Sequence, residues 1–136
     1  MTRSREAKLD YWLLCDMIRR EDNGKLIILG LYTPDIIVPA VPVTLPMLSF
    51  LFKWNLTLGS LRAGAIAVKG PSGQEITRFP IEENTFREAH QTGVLAFGVS
   101  PFGIEKPGTF TLVYHVGNRS KTLSSFRVIL QQTAKP

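Results

Sequence analysis

Cys15 is the one thiol in the chain, and His90 and His115 are the only imidazoles. A cysteine nucleophile needs a base within hydrogen-bond reach and often a third group to orient that base. Cys15 instead stands inside the apolar stretch 9–17, where a free cysteine behaves as a small core side chain. His115 alternates with Tyr114 and falls on the Thr-bearing face of a strand, as a sheet-surface histidine. His90 sits in a polar segment, open to solvent. The sequence therefore predicts no thiol–imidazole pair.

Carboxylates offer two further chemistries. Asp16, Glu21, Asp22 and Asp35 would make a metal site if loops at one end of the fold met. Their spacing matches no calcium loop, and Arg19, Arg20 and Lys25 compete for them. Exposed cross-strand ion pairs, each contributing about 0–1 kcal/mol, are the expectation. Glu82, Glu83 and Glu88 would suit glycoside hydrolysis only if two carboxyls stood about 5–9 Å apart across a sugar. Adjacent residues of an extended chain point to opposite sides, so a solvated segment is expected. Gly70-Pro71-Ser72-Gly73 lacks the Lys-Ser/Thr pair and the following helix of a phosphate loop, and reads as a turn. Tyr11, Trp12 and Trp54 are candidates for a carbohydrate platform. Trp54 falls on an apolar face and belongs in the core, while Tyr11 and Trp12 fall on opposite faces of one strand. No catalytic residue, metal ligand or cofactor is expected, and the protein is expected not to be an enzyme.

Charge does not supply a partner either. Lys and Arg number 16 against 11 Asp and Glu, a net charge of +5. The basic residues are dispersed over both halves, whereas a phosphate-tracking surface needs a sustained stripe, so nucleic acid is not an expected partner. Apolar runs are broken well short of the ~18 residues that span a bilayer. Asp10 and Asp16 interrupt any secretory pattern, so the cytoplasm is the expected location and no membrane partner is expected. The two Asn-x-Ser/Thr triplets, at Asn55 and Asn118, are chance matches in that setting.

The elements that must position these residues have the period of strands. Residues 9–17 and 26–32 flank Asn23-Gly24, a dipeptide suited to a type I′ hairpin turn. Pro34, Pro39, Pro42 and Pro46 restrict the next stretch to a short edge strand at 36–38. Residues 47–58 alternate, with Leu48, Phe50, Phe52, Trp54, Leu56 and Leu58 on one face. Further strands are expected at 63–69, 75–79, 94–99, 109–116 and 121–130, and 80–93 is a loop or one short helix. Eight or nine short strands with turns every 8–12 residues predict an all-β, antiparallel, immunoglobulin-like sandwich, with a closed barrel as the alternative. One domain spans 1–136, with 1–8 and 131–136 as flexible tails.

The run from Asp16 to Tyr32 resembles the opening of a family of short bacterial and phage proteins of unknown function. Asp16, Arg19 or Arg20, Glu21, Gly24, Lys25, Leu26, Gly30 and Tyr32 carry the resemblance, and Pro107-Gly108-Thr109-Phe110 is similar to a later stretch. The resemblance implies a small soluble domain with no assigned chemistry.

Met47 and Leu51 lie on the supposedly wet face of 47–58, and residues 26–29 are apolar on both faces. A sheet apolar on both sides needs a cover. The expected function is therefore a non-enzymatic interaction module that binds a protein partner or assembles with itself, a homo-oligomer being favoured. Its candidate surface is Arg19, Arg20, Glu21, Lys25, Met47, Leu51, Arg87 and His90. Alternatives are a sandwich that binds sugars or lipid headgroups and, from the resemblance alone, a phage-borne inhibitor of a host defence factor.

Overall fold

The computed structural model describes residues 6–33, 35–57, 59–82 and 92–132. These residues form eleven strands and no helix: β1 Lys8–Arg20, β2 Leu26–Leu31, β3 Ile36–Val38, β4 Val43–Leu45, β5 Leu48–Asn55, β6 Gly64–Lys69, β7 Glu75–Ile81, β8 Thr92–Val99, β9 Phe102–Ile104, β10 Gly108–Val116 and β11 Arg119–Leu130. The fold is thus all-β. With no helix among the described residues, none is long and apolar enough to cross a membrane. Residues 83–91, and with them most of the expected loop or helix, lie outside the described residues.

A four-stranded sheet runs β2-β1-β5-β8 and a five-stranded sheet runs β3-β11-β10-β6-β7. Alternation in β5 builds the centre. Leu48, Phe50, Phe52 and Trp54 share one face and are at most 1% exposed, as expected for a strand that buries one face. Phe50 lies 5.3 Å from Phe79, 6.5 Å from Phe102 and 6.1 Å from Phe126, between ring centroids. Trp12 approaches Phe126, and Phe97 stacks on Phe79 at 4.5 Å. These rings join the two sheets. Burying each contributes roughly 1.5–3 kcal/mol, so this seam carries much of the stability.

Three expectations change. The strand count rises because β4 and β9, in segments read as proline-punctuated connections, pair through Val43↔Ile104 and Leu45↔Phe102. Phe102 and Ile104 are fully buried there, so core packing overrides the turn-like composition. The sheets are not wholly antiparallel, since β3 joins β11 in parallel through Ile36↔Val128 and Val38↔Leu130. The second face of β5 is not uniformly wet. Ser49 is 2% exposed and Leu51 5% exposed, because Leu51 is flanked by Leu13 of β1 and Ala96 of β8.

Candidate functional site

β1 is 13 residues long and changes partner halfway. From Lys8 to Cys15 it pairs with β5, and from Cys15 to Arg20 with β2. Past the Cys15↔Ser49 pair, β1 runs on for five residues, about 16 Å at strand rise, with β2 as its pairing neighbour. Residues 16–31 therefore form a two-stranded arm that leaves the sheet.

The arm is apolar on both faces. Met17, Ile27, Leu29 and Leu31 are exposed on one side, Leu31 by 47%. Ile18, Leu26 and Ile28 occupy the other and are half-buried, yet none of them packs against the core. A lone two-stranded hairpin is marginally stable in water, so a ribbon like this gains from being covered. The first apolar row continues onto the sheet through Leu13, Leu51 and Val94, with Tyr11 at its end, 50% exposed.

At the tip, the Gly24 N–H donates to the Glu21 carbonyl at 3.0 Å, and the Glu21 N–H to the Lys25 carbonyl at 2.8 Å. The Lys25 N–H donates to Asn23 Oδ1 at 3.0 Å. Asp22 and Asn23 are central in the turn and Gly24, at φ +86°, follows it. The hairpin is where it was expected, but the two-residue type I′ turn becomes a three-residue loop with a glycine bulge. Among the described residues, the tip ion pairs expected from Arg19, Arg20 and Lys25 do not form. The described ion pairs are Lys53–Asp10 at 2.8 Å, Arg78–Glu75 at 2.8 Å and Arg127–Asp35 at 2.6 Å.

The arm's base is held by a contact of three residues, Asp16, Gly30 and Tyr32, and tied to β5 by a fourth, Ser49. Gly30 has φ +69°, and a Cβ there would lie 2.1 Å from Asp16 Oδ2. The absence of that atom lets the Asp16 carboxylate lie across the strand, where Asp16 Oδ1 accepts a hydrogen bond from the Tyr32 hydroxyl at 2.8 Å. Ser49 Oγ donates to the Asp16 carbonyl at 3.3 Å, tying the base to β5. Asp16, Gly30 and Tyr32 thus form one contact, a role that spacing alone did not reveal.

Burial and the neighbouring carboxylate push the Tyr32 hydroxyl up from 10.0 to about 12. The folded state holds this proton longer than the unfolded chain does. The stabilisation is complete below pH 10 and is lost as pH rises through about 12. A tyrosinate titration followed by ultraviolet absorbance should show a component near pH 12 that Tyr32→Phe removes. An unchanged Tyr32→Phe titration curve would contradict the assignment.

The other sequence candidates are dispersed. Cys15 is fully buried, and burial, then the adjacent Asp16 charge, raise its thiol above the ordinary range. Its Sγ lies 3.7 Å from the Met17 carbonyl, an environment opposite to that of an activated nucleophile. His115 is half-buried, and its Nε2 has no hydrogen-bond partner among the described residues. Asp16 and Asp35 engage Tyr32 and Arg127, and no three metal-ligating side chains converge among the described residues. Glu82 is exposed at the end of β7.

Of the candidate surface, Arg19, Arg20, Glu21 and Lys25 are exposed around the arm's tip. Met47 is half-buried, and Leu51 is covered by its neighbours. Arg87 and His90 lie outside the described residues. Tyr11 is exposed, with Lys53 Nζ 5.6 Å from its ring centroid, whereas Trp12 stacks inside on Phe52. The exposed row Met17, Leu31 and Val94 was missed. Its signal was the run of odd-numbered apolar residues in β1.

A family of unknown function, DUF6941, matches the chain over residues 10–129. No curated protein and no solved structure matches it. Because the match begins inside β1 and ends inside β11, taking in the arm and both sheets, the chain belongs to the family of unknown function DUF6941.

Proposed function

We propose that the protein is a non-enzymatic interaction module that assembles with a second copy of itself through the projecting arm. The observation that carries this reading is the arm itself, a two-stranded ribbon apolar on both faces that, among the described residues, pairs with the body only at its base. β2 is the edge of its sheet, so one row of its backbone groups is free to add a strand. Antiparallel pairing of two β2 strands about a two-fold axis gives a closed dimer. It also sets the tip of one arm, where Arg19, Arg20 and Lys25 outnumber Glu21 and Asp22, level with the end of the other that carries Asp16. That charge match favours a second copy. The burial and raised thiol of Cys15 support binding rather than catalysis.

Two strand orders support an immunoglobulin-like arrangement as part of the same reading. β11-β10-β6-β7 follows the order G-F-C-C′, and β1-β5-β8 follows A-B-E. Fold alone assigns no partner, so the proposal stands on the arm. The resemblance of its sequence to short bacterial and phage proteins supports a bacterial or phage setting for this assembly, and the cytoplasm is the location that goes with this reading.

Sedimentation equilibrium tests the assembly. Wild-type protein is expected to be dimeric or larger at about 100 µM. The double variant Leu29→Lys and Leu31→Lys places two charges where apolar contact forms. It should weaken association at least about 30-fold, the equivalent of about 2 kcal/mol. Both positions are exposed, so the variant's circular dichroism should match wild type. A strictly monomeric wild-type protein, or a variant that associates as tightly, would sink the reading.

A further inference from the structure

At the other end of β1, the molecule carries a cleft of about 750 Å³. It opens between the start of β1, the segment that enters β6 and the β10–β11 hairpin. This volume lies within the range of small-molecule sites, which average roughly 300–1,000 Å³. Its walls are tied in place. The Ala7 N–H donates to the Ser60 carbonyl at 3.3 Å, and the Tyr114 hydroxyl donates to the Arg62 carbonyl. The cleft is therefore formed before anything enters it.

Its lining divides by chemistry. Trp54, Leu61, Tyr114 and Leu123 give an apolar and aromatic part, in which Trp54 and Tyr114 meet edge to face at 5.8 Å. Lys8, Arg62, Arg119 and Lys121 are exposed lining residues, against the single carboxylate Glu6. None of these four cations forms an ion pair among the described residues. The +5 charge is dispersed along the chain, yet the fold gathers four of its unpaired cations around one opening, a field that attracts anions.

Trp54 supplies the second observation. It is 1% exposed, and its indole Nε1 has no hydrogen-bond partner among the described residues. Buried donors are nearly always satisfied, and this one belongs to a side chain that also lines the cleft, so its signal reports on the cleft wall. We infer that this cleft is a binding site for a small organic anion with an apolar body. The body packs on Tyr114 and Leu123 beside Trp54, and a carboxylate or phosphate faces the rim cations. The site is separate from the arm and does not depend on the dimer.

The chain has two tryptophans, so a ¹⁵N-labelled sample gives two indole N–H signals. Octanoate and 8-anilinonaphthalene-1-sulfonate should shift the Trp54 signal and leave that of Trp12 in place. The neutral N-phenyl-1-naphthylamine should bind at least about tenfold more weakly than the sulfonate. Arg119→Glu with Lys121→Glu should remove that preference while leaving the circular dichroism unchanged, since both side chains are exposed. Leu29→Lys with Leu31→Lys, on the arm, should leave it intact. Anionic phospholipid vesicles separate the two sources of such a ligand. Co-sedimentation lost in the charge-reversal variant assigns a lipid, and a Trp54 shift with octanoate without co-sedimentation assigns a free anion. A silent Trp54 signal, equal affinity for the charged and neutral probes, or binding that follows the arm variant would overturn the proposal.

Discussion

Phe50→Ala is expected to lower the unfolding free energy by about 3–5 kcal/mol, the largest effect of any single side-chain truncation in this protein. Phe50 is fully buried, and its ring meets Phe52 on its own strand and Phe79, Phe102 and Phe126 from beyond it. Removing it leaves a void bordered by stiff rings rather than by flexible aliphatic chains. Collapse is poor in such a setting, so the cavity adds to the lost transfer free energy. The midpoint of thermal unfolding should fall by roughly 10–15 °C. Urea titration followed by circular dichroism measures the change, with Tyr11→Ala as a comparison that should cost little, because Tyr11 is half exposed. A loss below about 1 kcal/mol would mean that the seam between the sheets is not packed as described.

Gly30→Ala is the second large effect, at about 2–3 kcal/mol. The left-handed backbone at φ +69° costs an alanine roughly 1–2 kcal/mol by itself. The added Cβ also collides with the Asp16 carboxylate, which must swing away and release the Tyr32 hydroxyl. The loss should therefore be non-additive with Tyr32→Phe, because the second change removes what the first has already broken. A double-mutant cycle in urea reads this directly. Full additivity would show that the Asp16–Tyr32 contact survives the alanine. The variant should also associate more weakly, since the same three residues set the base of the arm.

The core strand β5 was legible because its alternation is strict and its apolar residues are large. The turn at Asn23-Gly24 was legible because turn chemistry is local. β4 and β9 were not, since each is three residues long and is made a strand by its partner across a long loop. Leu51 gave a misleading signal of exposure, because its cover comes from Leu13 and Ala96 on neighbouring strands. The arm was half legible. Its hairpin follows from the sequence, but its projection depends on where β5 stops pairing with β1, and no local pattern records that. Gly30 could be seen in a motif without its reason, which needs the position of Asp16 across the strand. The cleft was invisible for the same cause: Lys8, Arg62 and Lys121 are far apart in sequence.

The parallel pairing of β3 with β11 has a consequence for how the chain reaches this state. Ile36 waits for Val128, and Phe50 for Phe126, so the five-stranded sheet closes only after the eleventh strand has been made. Little of the core can be sealed before β11 is made, and the earlier strands spend that time with unpaired edges. Topologies dominated by such distant pairings fold in roughly milliseconds to seconds. The apolar arm, made before the other described strands and paired locally, is the part that can form while they wait. Order of synthesis and order of assembly therefore oppose each other in this fold, and the nascent chain is at its most adhesive just before β11 is added.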